Sequence, residues 1–317
     1  MNLYKSFATV SGLTMVSRLL GFARDILIAA ALGTGPVADA FFVAFRFPNL
    51  FRRLFAEGAF NSAFVPLYAR RLEGEGVGSA QRFAAEAQSV LLFALLLLTA
   101  LAEIAMPWLM YVIAPGFSDS PEKFDLAILF TRIAFPYLTC MSLVALLSGL
   151  LNAHNRFALA AAAPILLNVV LIAVMTGVIW AGYGNTPEAG TALSWGVAAA
   201  GFVQLAALAM WARKLGLGLP LRRPALTPGV RRLLALGIPG LIAGGITQVN
   251  ILIGTMIASL QDQAVSWLYY ADRVYQLPLG IIGIAIGVVL LPDLSRQLRA
   301  GEHEGALNAQ NRSLEMS

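Results

Sequence analysis

Six arginines lie where an apolar helix is expected. "SRLLGFARDILIA" (17–29) holds Arg18, Arg24 and Asp25. "FRFPNLFRRLFAEGAFN" (45–61) holds Arg46, Arg52 and Arg53, with Asn49, Glu57 and Asn61. "SWLYYADRVYQLP" (266–278) holds Asp272 and Arg273, with Ser266, Tyr269, Tyr270 and Gln276. A charge kept at mid-bilayer costs about 2.5–3.5 kcal/mol on insertion scales, so each needs a reason to be there. A guanidinium presents a planar fork of donors that matches phosphate or carboxylate oxygens. These residue types therefore point to recognition of an anion.

Spacing groups the charges. Residues seven apart share a helix face, which pairs Arg18 with Asp25 and Ser17 with Arg24. Arg46, Asn49, Arg53, Glu57 and Asn61 form one stripe, flanked by Arg52. Ser266, Tyr269, Tyr270, Arg273 and Gln276 form another. Such faces must turn toward one another or toward a water-filled cavity. One arrangement is a set of internal ion pairs, with Asp25, Glu57 and Asp272 each neutralising an arginine. Three acids against six arginines leave a cationic surplus, which favours an anionic ligand instead. Both arrangements stay open at this level.

The elements that carry these residues follow from composition. The chain is 58% hydrophobic and 12% charged, about half the charge of a soluble domain. Residues 133–155, 157–187, 189–212 and 233–261 each lack Asp, Glu, Lys and Arg, and each can cross a hydrocarbon core. The fold class is an all-α, polytopic membrane bundle of about eight transmembrane helices: 7–32, 37–66, 83–113, 126–152, 158–182, 190–212, 232–259 and 265–295. Basic residues gather after spans two, four, six and eight, whereas the opposite loops hold Lys123 alone. The positive-inside rule then places the N-terminus in the cytoplasm and Pro115–Asp125 outside. Arg132, near the outer end of span four, reads as an interface arginine. The net charge of +5 is accounted for by topology, so no nucleic-acid partner is expected. One cysteine, Cys140, and two distant histidines, His154 and His303, predict neither a metal site nor a cofactor. No HExxH or GxSxG motif suggests a membrane enzyme.

"FVPLYARRL" (64–72) and "LLPDLSRQL" (290–298) end similar arginine-bearing spans six apart. That is a parallel repeat. It predicts a six-helix lobe at 1–215, a cytoplasmic linker at 216–231, and an incomplete second lobe at 232–317 made of two helices and an amphipathic tail. The chain is expected to be C-terminally shortened.

"MNLYKSFATVSGLTMVSRLLGFARDILIAAALG", "ADAFFVAFRFPNLFRRLFAEGAFNSAFVPLYA", "APGF", "LLNAHNRFALAAAAPILLN" and "SWLYYADRVYQLPLGIIGIAIGVVLLPDLS" together resemble the MurJ/MviN family of lipid II flippases, over the whole chain. The resemblance implies two six-helix lobes facing a central cavity. It implies a flippase in the bacterial cytoplasmic membrane that moves undecaprenyl-linked peptidoglycan precursor to the outer leaflet by alternating access. Its partners would be lipid II, membrane lipids and, as candidates, cell-wall synthases. The family's cavity arginines map onto Arg18, Arg24, Arg52 and Arg273. Asp25, Asn49, Arg53 and Ser17 join the substrate-binding candidates from position alone. An exporter of another lipid-linked glycan, or a shortened chain without transport, are the competing expectations.

Overall fold

A computed structural model of the chain describes residues 3–52 and 61–276. The described elements are helical; the expected first, third, fifth, sixth and seventh spans recur with shifted ends, while the second (37–66) and eighth (265–295) run into residues outside those described. α1 is Leu3–Leu32, α2 Pro36–Arg52, α3 Asn61–Gly74 and α4 Val77–Ile113. A 3-10 turn at Pro115–Asp119 leads to α5, Pro121–Ala134, and α6, Tyr137–Ala153. α7 is Phe157–Trp180, α8 Pro187–Lys214 and α9 Pro228–Ser259. A tenth helix, α10, runs over 264–276. The expectations for Arg53, Glu57 and residues 277–317 lie outside the described residues.

Boundary shifts have local causes. The expected fourth span is two helices, because Pro136 lacks an N–H and cannot continue the ladder of α5. The chain recovers through Leu138 N–H to Phe135 O (2.9 Å) and Cys140 N–H to Pro136 O (3.3 Å). α4 begins six residues before its expected start, since nothing in "VGSAQR" breaks a helix once Gly76 has turned the chain at φ 84°. α1 stops at Gly33, which takes φ 59°. Ser120 precedes a proline-led α5, and Thr186 and Thr227 cap α8 and α9 through their side chains.

Four described stretches are long and apolar enough to cross a membrane: Val77–Ile113, Pro121–Ala153, Phe157–Trp180 and Pro187–Lys214. The protein is a multi-pass membrane protein. α6 is almost wholly buried, from Tyr137 to Leu151, with α3, α4, α7 and α8 around it. α1 packs along α7, and α2 along α5. Gly190 lets α8 approach α5, because a β-carbon there would enter the ring of Phe130.

Residues 1–267 form one compact unit and residues 268–317 another. At the basic end of the first unit, the connection after α8 lies along α4. Gln81 Nε2 donates to Gly216 O (2.8 Å), the Arg222 N–H to Ser89 Oγ (2.9 Å) and Thr227 Oγ1 to Glu86 Oε2 (2.9 Å).

Candidate functional site

Arg18, Arg24 and Asp25 of α1 divide into a locked pair and an open cation. Arg24 and Asp25 are both buried, at 7% and 6% exposure. The Arg24 Nε and Nη2 groups donate to one oxygen of Asp25, at 2.9 and 2.7 Å. Its Nη1 donates to Asn168 Oδ1 of α7 at 2.9 Å. Asn168 in turn donates from Nδ2 to the Ser17 carbonyl at 2.8 Å. α1 and α7 are thus cross-linked through one amide. Asp25 therefore neutralises Arg24, its chain neighbour, rather than Arg18, and Ser17 takes part through its backbone. Arg18 is exposed. Among the described residues it meets no hydrogen-bond or ion-pair partner. It lies about 9 Å along the helix and about 120° around it from Arg24.

α2 carries the second group. Arg46 Nη1 donates to Thr255 Oγ1 of α9 (3.2 Å). Asn49 Nδ2 returns to the Phe45 carbonyl of its own helix (2.7 Å). Arg52 closes α2. In the second unit, Arg273 lies over the Tyr269 ring at 4.9 Å and donates to Gln276 Oε1 at 3.3 Å, while Gln276 Nε2 donates to Asp272 Oδ2 at 2.6 Å. Tyr269, Arg273 and Gln276 of the stripe read from spacing meet along one helix.

A cluster that sequence patterning missed sits at the end opposite the basic one. Asp39, in the first turn of α2, is fully buried. Lys123 Nζ of α5 approaches its Oδ2 to 2.8 Å, and Lys123 is itself buried. The same carboxylate accepts the Gln263 N–H (3.1 Å) and the Ser266 N–H (2.9 Å), which open α10. A carboxylate on the free N–H groups of a helix start is doubly favoured, by hydrogen bonding and by the helix dipole. Thr34 Oγ1 donates to Gln263 Oε1 (3.0 Å), and the Gly116 N–H to Ser259 Oγ (3.1 Å). Gly116 of "APGF" touches the backbone at Ser259 and Leu260 so closely that no β-carbon fits. One buried ion pair and several main-chain hydrogen bonds hold α2, α5 and the α9–α10 turn together.

At the basic end, the Tyr68 hydroxyl and His154 Nε2 lie 2.8 Å apart, joining α3 to the end of α6. Burial pushes the Tyr68 phenol up to about 12 and holds His154 below its ordinary 6.5. Among the described residues no group of His, Cys, Asp and Glu is arranged to hold a metal ion.

The family model described as lipid II flippase MurJ matches residues 28–317. A probable lipid II flippase MurJ of Rhizobium meliloti (strain 1021) is 55% identical over 318 residues, covering 100% of this chain and 59% of the relative. A lipid II flippase MurJ of Burkholderia cenocepacia is 40% identical over 310 residues, covering 96% of this chain and 59% of the relative. The chain thus spans about three-fifths of the length of these curated relatives. Among solved structures, a lipid II flippase MurJ in an inward closed conformation superposes with a TM-score of 0.71 at 23% identity, over 92% of this chain and 59% of that one. An inward-facing MATE family transporter of the MOP superfamily gives 0.61 at 16% identity, over 98% of this chain and 70% of that one. At such identities the two superpositions speak for the fold alone.

Proposed function

The chain belongs to the lipid II flippase MurJ family, and on that premise we propose that it carries undecaprenyl-linked peptidoglycan precursor from the inner to the outer leaflet of the bacterial cytoplasmic membrane. It acts as a transporter rather than an enzyme. The observation that carries the reading is Arg18, an arginine exposed in the middle of an apolar helix and unpaired among the described residues, beside an Arg24 already neutralised by Asp25. An unneutralised guanidinium at that depth is costly unless an anion visits it.

The precursor's pyrophosphate is such an anion. Bare transfer of its headgroup through hydrocarbon would strip water from charges and hydroxyls, and fixed cationic partners replace that hydration. We assign pyrophosphate contact to Arg18, Arg24, Arg52 and Arg273, with Ser17, Asp25, Asn49 and Arg53 shaping the surroundings. Arg18 contributes the free charge, and Arg24 contributes the donors that Asp25 and Asn168 leave open. Residues 1–215 are assigned to one lobe, 216–231 to a cytoplasmic linker and 232–317 to the start of a second, with the N-terminus in the cytoplasm. The cluster around Asp39 supports alternating access. It fastens the outer end, and its bonds are the ones that must break for that end to open. Membrane lipids surround the transporter, and cell-wall synthases are candidate partners for the delivered precursor.

The test is lipid II headgroup exposure in cells depleted of their own flippase. It compares this chain, this chain continued by the C-terminal part of a relative, and Arg18→Ala, Arg24→Ala, Arg52→Ala and Arg273→Ala in the continued form. Exposure should be restored by the continued chain and lost in the arginine variants. Full exposure in all four variants would overturn the assignment.

A further inference from the structure

Asn168 is the polar side chain that α7 buries, in an otherwise apolar "APILLNVVLIAV". It is 4% exposed and both ends of its amide are committed. The oxygen accepts from Arg24 Nη1 and the nitrogen donates to the Ser17 carbonyl. That pairing fixes which way round the amide sits, because only the oxygen can accept from a guanidinium. Gly21 of α1 faces this amide, and a β-carbon there would make only ordinary contact with it, at 3.6 Å from Asn168 Nδ2.

Arginine has five N–H donors. Asp25 takes one from Nε and one from Nη2, and Asn168 takes one from Nη1. One N–H remains on each terminal nitrogen. With the side chain about nine-tenths buried, these partners rather than water determine where the remaining donors point. An amide suits the task better than an acid would. It accepts a hydrogen bond without adding a second negative charge to a guanidinium that Asp25 already balances.

We propose that Asn168 is a positioning residue. It holds the Arg24 guanidinium so that its two remaining N–H groups meet a pyrophosphate-bearing ligand. The inference rests on the assignment of Arg24 to pyrophosphate made above. Asn168 itself touches Arg24 and α1, and it acts on the ligand through Arg24.

The test is a double-mutant cycle on binding of undecaprenyl pyrophosphate to the full 317-residue chain in nanodiscs. Asn168→Ala should weaken binding about tenfold, the scale of one charge-assisted hydrogen bond, and should have no further effect in an Arg24→Ala background. Equal weakening in both backgrounds would make Asn168 a packing residue and overturn the proposal, as would wild-type affinity in Asn168→Ala. If Arg24→Ala alone leaves affinity unchanged, the pyrophosphate assignment of Arg24 fails, an outcome distinct from the other two. The melting temperature of each variant guards against loss of fold. Asn168→Asp keeps the acceptor, loses the donor to the Ser17 carbonyl and adds a carboxylate, so it should bind more weakly than Asn168→Ala. Wild-type affinity in Asn168→Asp would also overturn the proposal.

Discussion

Replacing Lys123 with methionine should unfasten the Asp39 end of the bundle without unfolding it. The Lys123 and Asp39 side chains are 5% and 0% exposed, and their charged atoms are 2.8 Å apart. Removing one partner of a buried pair costs about 3–5 kcal/mol, because the other charge is stranded. Asp39 would keep the N–H groups of Gln263 and Ser266, so the lower figure applies. About 3 kcal/mol is about two decades in an opening equilibrium. The reporter is Ala258→Cys on α9, where the native alanine is 6% exposed next to Ser259. The single native thiol, Cys140, is buried and serves as the internal control. An impermeant maleimide should label Ala258→Cys about a hundredfold faster in the Lys123→Met background, with Cys140 still protected. Adding Asp39→Asn should return most of the loss, since removing both charges is far less costly than removing one. Unchanged labelling in Lys123→Met would refute the fastening role. Equal acceleration at Cys140 would show that the pair supports the whole fold instead.

Three further outcomes follow from the packing and the titrating groups. Gly190→Ala should lower the melting temperature in detergent, at a cost of about 1–3 kcal/mol, because the new methyl must displace Phe130; an unchanged melt would show that α5 and α8 are not in tight contact. Gly116→Ala should raise Ala258→Cys labelling as Lys123→Met does, because the β-carbon enters the backbone at Ser259. His154 is held below 6.5 by burial, so the folded state binds fewer protons than the unfolded one. The contribution of its neutral form is fully present above 6.5 and is lost as the pH falls through the lowered folded value. His154→Asn should flatten the fall in melting temperature over that range, and an identical pH profile would contradict the assignment.

Membrane spans were legible because hydrocarbon thickness demands long uncharged runs, and the spans expected at 158–182 and 190–212 match α7 and α8 to within three residues at each end. Helix breaks within a run were harder. The proline after Phe135 splits one apolar stretch into α5 and α6, whereas Pro164 sits inside α7 and Pro107 inside α4. Composition does not separate these cases, because the outcome depends on whether neighbouring helices satisfy the freed carbonyl. The arginines of α1 were visible as charges in an apolar context. Which of them was neutralised was not, since Asp25 could turn toward Arg18 or Arg24. Asn168 escaped notice because one amide in an apolar helix carries no periodic signal. Lys123 was read as a loop cation, and Asp39 was not singled out. Their pairing belongs to the tertiary packing of α2 against α5, which no spacing rule encodes.

The central claim is that an unneutralised arginine within the membrane recognises a pyrophosphate headgroup. Its most direct test is the affinity of the chain in nanodiscs for undecaprenyl pyrophosphate and for uncharged undecaprenol, with and without Arg18→Ala. One charge-assisted contact contributes about 1.5–3 kcal/mol, so Arg18→Ala should weaken pyrophosphate binding by about ten- to a hundredfold and leave undecaprenol binding unchanged. Equal affinity for the two lipids, or an Arg18→Ala chain that binds pyrophosphate as tightly as the native one, would contradict it.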